Sequence, residues 1–232
     1  MERGGLSTVS RDLPLLVSIL ARAEEPMSTE ALAYLLAPLP DDYDDYLARA
    51  IAALRVGQSL LRASSTPDGD AGYSLYHQSF REYLTGRPPK DDLPGTPPAT
   101  IIAGTVREAE RLLYRTAAKW GQLPLGNLRN HLFRWGTTYA LELQGDDGVD
   151  EARERLTSYP YLNARVESLQ PGAVIDLASE YTRLIRRIPD EELRHAVMLW
   201  ESFFRERAHI LARAETNWPP EKILMQLAIE HA

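Results

Sequence analysis

The chain has 232 residues, 44% of them hydrophobic and 25% charged, the balance of a soluble globular protein long enough for one large or two ordinary domains. Its formal charge of −7 argues against nucleic-acid binding, where Lys and Arg must neutralise phosphates. The absence of cysteine excludes disulfides, thiol catalysis and thiolate metal sites and fits a cytoplasmic protein.

No stretch reads as a membrane span: the longest apolar run, Leu13 to Ala21, contains Pro14 and Ser18 and is too short. The N-terminus lacks the basic, then apolar, then small-residue order of a secretory leader. Ala, Leu, Arg and Glu dominate long segments and alternating runs are scarce, so a mainly α protein with one small β element is expected.

Residues 1–9, rich in Gly and Ser, read as a flexible lead-in. A first helix is expected from Ser10 or Asp12, with Pro14 in its first turn and Leu16, Ile19, Leu20 and Ala23 facing inward. Ser28 caps a second helix that shows Leu32, Leu35 and Leu36 on one side and stops at Pro38 and Pro40. The third helix opens with four aspartates, Asp41, Asp42, Asp44 and Asp45, and carries Leu47, Ile51 and Leu54 towards Gly57. Those aspartates suit the positive end of a helix dipole and would repel DNA phosphates.

A short strand is expected at Ser59 to Ala63, a turn-forming loop from Ser64 to Gly72 and a second strand at Tyr73 to Tyr76. The strand runs straight into a closing helix in which Phe80, Tyr83 and Leu84 recur at helical spacing, with His77 at the seam. Three helices, a hairpin and a closing helix make a winged-helix unit, expected over residues 1–86. The Pro-rich stretch 87–98 reads as a linker, and residues 99–232 as an all-α domain.

In that domain, helices are expected from Thr100 to about Lys119 and from Asn127 to Leu143, with Gly145 to Gly148 as a turn. Asp150 caps a short helix to about Thr157, another begins at Tyr159, and one after Pro171 carries Val174, Leu177, Tyr181 and Ile185. The longest is expected from Asp190 to about Thr216 with Leu193, Val197, Trp200, Phe204, Ala208 and Leu211 buried, and a last one starts at Pro219.

The segment from Tyr73 to Leu84, with its aromatic-His-x-Ser-Phe-x-Glu-aromatic-Leu order, resembles the end of the winged helix in STAND signalling ATPases, the NACHT and NB-ARC proteins. Trp135 to Leu143, Tyr161 to Arg165, and Trp200 to Ala214 followed by Ile223 to Ala228 look like the helical connector that leads to repeat-type sensors in bacterial NACHT proteins. The resemblance implies a regulatory portion of such an ATPase, a fragment of a longer protein, with an upstream ATPase domain and a downstream sensor as partners. It also implies ATP or ADP with Mg in that other domain, and a role for His77 in contacting the ADP phosphates in the off state. The residues alone also allow a plainer role, in which His77 satisfies a backbone group at a helix start.

No Gly-x-x-x-x-Gly-Lys-Ser/Thr loop occurs, so this chain carries no phosphate cradle of its own and no catalytic role is expected of it. His131, His195, His209 and His231 stand apart without metal-ligand spacing. Arg183, Arg186 and Arg187 form a basic run that reads as a solvated face or a surface for an acidic partner. Two alternatives remain open: a stand-alone helical adaptor for a protein partner, and a winged-helix DNA-binding regulator, which the acidic third helix disfavours.

Overall fold

Strong helical periodicity and a single alternating stretch lead to a mainly helical chain with one small sheet. The structure, a computed structural model, describes residues 5–37, 42–85, 100–143, 145–169, 174–211 and 220–231. The expected linker at 87–98 lies outside them. The described residues form two compact units, one reaching to Thr116 and including Gly126–His131, the other made of Ala117–Leu125 and the chain from Leu132 onward.

The first unit begins with α1 (Gly5–Arg22), β1 (Met27–Ser28), α2 (Thr29–Leu36) and α3 (Tyr43–Val56). A 3-10 turn at Gln58–Leu60 leads to β2 (Leu61–Ser65), β3 (Ala71–Leu75) and α4 (Gln78–Leu84), and most of α5 (Thr100–Ala118) follows. The inward residues of α1, Leu16, Ile19, Leu20 and Ala23, are all buried, as their spacing predicts. Ser28 does cap α2, its hydroxyl accepting from the Ala31 amide at 3.2 Å.

α1 starts five residues before the expected Ser10, so Pro14 lies inside the helix rather than in its first turn. An internal proline removes one backbone bond and strains the preceding turn without forbidding continuation, and a buried face can outweigh that loss. In α3 the expected stripe is only partly inside: Leu54 is buried, whereas Ile51 is exposed.

The sheet is antiparallel in the order β1-β3-β2, with Met27 opposite Tyr73 and Leu61 opposite Leu75. β1 has two residues, too few for alternation to register, and the hairpin strands sit about two residues from their expected places. Gly72, in the central strand, faces Ser28 on one side and Ser64 on the other. A Cβ there would stand 2.7 Å from Thr66 Cγ2 and 3.3 Å from the Met27 carbonyl, so the close approach of β1 needs glycine. Val17 and Ala21 of α1, Leu84 of α4 and Val106 of α5 form a core cluster, with Phe80 and Tyr83 packed against it. The closing-helix stripe is thus buried on the side the sequence indicates.

The second unit holds the rest of α6 (Asn127–Leu143), then α7 (Gly145–Leu156), α8 (Tyr159–Ser168), α9 (Val174–Ile185), α10 (Glu191–Leu211) and α11 (Pro220–His231). The expected turn at Gly145 to Gly148 is instead the first turn of α7. α10 buries Val197, Phe204 and Leu211 of the expected stripe together with Phe203 and Glu201, Trp200 and Ala208 are half-buried, and Leu193 in its first turn is exposed. Trp120, Phe133 and Tyr161 pack with ring centroids 5.3–6.0 Å apart. Beside Tyr161, the Arg165 guanidinium grips Glu180 through two bonds of 2.9 and 2.7 Å, both side chains only 2% exposed.

Candidate functional site: the His77 cleft

Alternation ends at Leu75, and the chain turns into α4 through two residues. Tyr76 still donates to the Leu60 carbonyl at 2.9 Å, and His77 keeps extended backbone angles at the helix N-cap. The His77 carbonyl accepts from the Phe80 and Arg81 amides at 3.2 and 3.3 Å, but its side chain makes no capping bond. The plainer expectation, that the imidazole satisfies a backbone group, is therefore not met. The ring is exposed and tilted against the Tyr76 ring, centroids 5.6 Å apart.

His77 borders a cleft of about 250 Å³ in the first unit, between the C-terminal end of α1 and the start of α4. Leu20, Pro26 and Leu75 supply apolar lining, and Glu24, Glu25, Gln78 and Arg81 supply polar lining. Arg81 donates from Nε to the Ala21 carbonyl at 2.9 Å, and its Nη2 forms an ion pair with Glu24 at 3.0 Å. It thereby supplies a cation to the carbonyl end of α1, where a helix favours positive charge. Glu25 lies 3.1 Å from Nδ1 of the fully buried His131, and Gln78 donates to Glu82 at 3.2 Å. Among the polar side chains of the cleft, those of Ser74 and His77 make no hydrogen bond to the described residues, and of the two His77 is the exposed one.

A second polar constellation was not legible in the sequence. Asn127, the buried first residue of α6, accepts from the Ser28 amide at 3.0 Å and donates to Asp68 at 3.2 Å. Asn130 donates to the other oxygen of Asp68 at 3.1 Å, and His131 meets Glu25 one turn after Asn127. The hairpin tip is thus tied to the first turn of α6, all within the first unit. The Asp68-Gly69 pair signals a turn in the sequence, but nothing in its spacing names a partner some sixty positions away.

At the start of α3, Asp44 and Asp45 are exposed, and Asp42 at the N-cap makes no side-chain capping bond; Asp41 lies outside the described residues. Burial, with the negative charges of Glu30 and Asp44, pushes the Tyr43 phenol upward. Arg49 is held by Asp12 through bonds of 2.8 and 2.7 Å, which raise its pKa, and its Nη1 lies 3.6 Å from Asp45, while Asp44 has no such pair among the described residues. The exposed end of α3 therefore presents anions.

The basic run resolves into separate roles. Arg183 donates to Thr138 at 2.8 Å, Arg187 to the Leu141 carbonyl, and only Arg186 of the three stays exposed without such a bond among the described residues. Among the described residues no group of His, Asp and Glu could hold a metal ion, and no helix is long and apolar enough to cross a membrane. No protein-family model, curated protein or solved structure matches the chain.

Proposed function

We propose that the chain is a non-catalytic regulatory portion of a STAND-type ATPase switch, a winged helix that closes over nucleotide joined to a helical arm that leads to a sensor. The order of three helices, hairpin and closing helix, with β1 as the short third strand, supports the winged-helix part. The observation that carries the switch is the exposed His77 imidazole, free of internal hydrogen bonds where β3 passes into α4. In this reading ADP and Mg belong to a separate ATPase domain, and His77 reaches the ADP phosphates from outside it. The contact holds the off state, and exchange for ATP breaks it, so nucleotide shifts the population between two arrangements.

DNA binding gains no support. Asp44 and Asp45 are exposed at the end of α3 that a recognition helix inserts in the groove, and the hairpin-tip carboxylate is engaged by Asn127 and Asn130. A stand-alone adaptor keeps one observation in its favour: Met198 and Leu199 of α10 and Met225 and Ile229 of α11 are exposed apolar residues.

The deciding experiment is ADP release from the protein that carries this chain. A hydrogen bond to a charged phosphate contributes about 1.5–3 kcal/mol, so His77→Ala should speed ADP release by about tenfold or more. An unchanged release rate would sink the switch and leave the adaptor.

A further inference from the structure

We infer that Arg81 is a second anion-positioning residue of the His77 cleft, and that Glu24 sets how much of its charge an incoming phosphate meets. This rests on the reading of His77 as a phosphate contact and assigns the rest of that site. His77 at the N-cap of α4 and Arg81 within that helix both line the cleft. A lone imidazole is a weak anchor for a diphosphate. A guanidinium one turn away supplies the planar, permanently charged donor set that phosphate oxygens favour.

Arg81 is already held in place. Its Nε is spent on the Ala21 carbonyl and its Nη2 is paired with the Glu24 carboxylate, and its Nη1 has no partner among the described residues. The side chain is 26% exposed, so these donors remain reachable from solvent. An arginine fixed in this way has less rotamer freedom left to lose when it takes a ligand.

The cleft also contains the reason such binding is weak until something changes. Glu24 sits on the same guanidinium with its side chain 38% exposed, and its negative charge opposes any phosphate that approaches Arg81. Glu25 is committed to buried His131 and so bears less directly on an incoming ligand. Glu24 therefore acts as a charge filter: it tunes anion affinity without itself touching the Ala21 carbonyl that anchors Arg81.

The test is titration of the protein with inorganic pyrophosphate, followed by the ring C–H signals of His77 in NMR, for wild type, Glu24→Gln and Arg81→Lys. Removing the opposing charge while keeping the amide's shape should tighten pyrophosphate by about tenfold at low salt. Replacing the fork by a point charge should weaken it by about fivefold. Thermal melts of each variant, with Glu24→Gln changing only a partly exposed carboxylate, separate lost binding from lost folding. Glu24→Gln affinity within twofold of wild type, or His77 signals that do not respond to pyrophosphate, would overturn the inference. Faster ADP release from His77→Ala together with a flat Glu24→Gln response would remove Arg81 and Glu24 from the site and keep the switch. Unchanged release from His77→Ala would remove the switch itself.

Discussion

Two charged pairs of the first unit lie near its edges. Arg81 and Glu24 are 26% and 38% exposed at the side chain, Arg22 and Glu110 are 26% and 15%, and the interior beneath them is apolar. In the second unit the Arg165–Glu180 pair is in the middle, 2% exposed on each side, with Tyr161 and Tyr181 buried around it. Burial is the largest influence on the Arg165 guanidinium and works to lower its pKa, but the charge and hydrogen bonds of Glu180 outweigh it and leave the pKa raised. A pair at an edge is screened by water and exchanges partners at small cost, whereas a buried pair that loses one member strands a charge in low dielectric. The Arg81–Glu24 pair of the first unit is therefore placed to trade partners and the Arg165–Glu180 pair of the second to keep them.

The contrast is most sharply tested by Glu180→Ala, which strands Arg165. It should cost about 3–5 kcal/mol in denaturant unfolding, while Glu24→Gln in the first unit should stay within about 1 kcal/mol. The double change Arg165→Met, Glu180→Leu should recover most of the loss, because two apolar side chains of similar volume replace the pair. A single-mutant loss no larger than that of Glu24→Gln would mean that the two pairs do not differ.

The same contrast explains how far the sequence could be read. Apolar spacing located the helices and the inner faces of α1 and α9, because burial of one face imposes the 3.6-residue period; Leu16, Ile19, Leu177 and Tyr181 are all fully buried. In α10 it placed Val197, Phe204 and Leu211 inside, but it missed the buried Glu201 and included Leu193, which is exposed. A charge bonded inside reads as a surface residue to any hydropathy pattern, and that also hid Arg165 and Glu180, which lie on different helices. At the candidate site, His77 stood out through its neighbours in the chain. Its cleft partners did not: Glu24 reaches Arg81 across 57 positions and Glu25 reaches His131 across 106, distances that only the fold closes. The residue-level role of His77 was divided between capping and contact, and only the missing side-chain cap separates the two.

Asn127 is a buried polar side chain of the first unit, 6% exposed, that satisfies the buried Ser28 amide and meets Asp68. Asn127→Ala leaves that amide unpaired, and the expected cost is about 1–3 kcal/mol. Hydrogen exchange at Ser28 should rise with it. Asn127→Asp sharpens the result, since its carboxylate still accepts from Ser28 but repels Asp68. If the aspartate variant is as stable as wild type, the Asp68 bond contributes nothing, and the hairpin tip is free to take another partner. If it is as damaged as the alanine variant, the tip is bound to α6 as firmly as a buried bond allows.

The smallest expected effect is also the one that reports on water in the second unit. The Tyr181 hydroxyl donates to the Leu156 carbonyl at 2.5 Å, and Tyr181→Phe should cost about 1 kcal/mol at neutral pH. Burial, the largest cause, pushes the phenol well above 10.0; the Arg165 charge opposes this, and Glu180 and Tyr161 add to the rise. A folded-state pKa above the unfolded one means that the folded chain holds the proton longer. The stability from this group is therefore complete below about pH 10, where the unfolded phenol is also protonated, and declines as pH climbs towards the folded value. Wild type should then lose stability between about pH 10 and 11 more steeply than Tyr181→Phe, the subtraction cancelling the other tyrosines and lysines. Parallel curves would mean that the phenol ionises in place, with water reaching it. In that case the interior around Arg165 and Glu180 would be as solvated as the pairs at the edge of the first unit, and the distinction between a pair that trades partners and one that keeps them would fail at its centre.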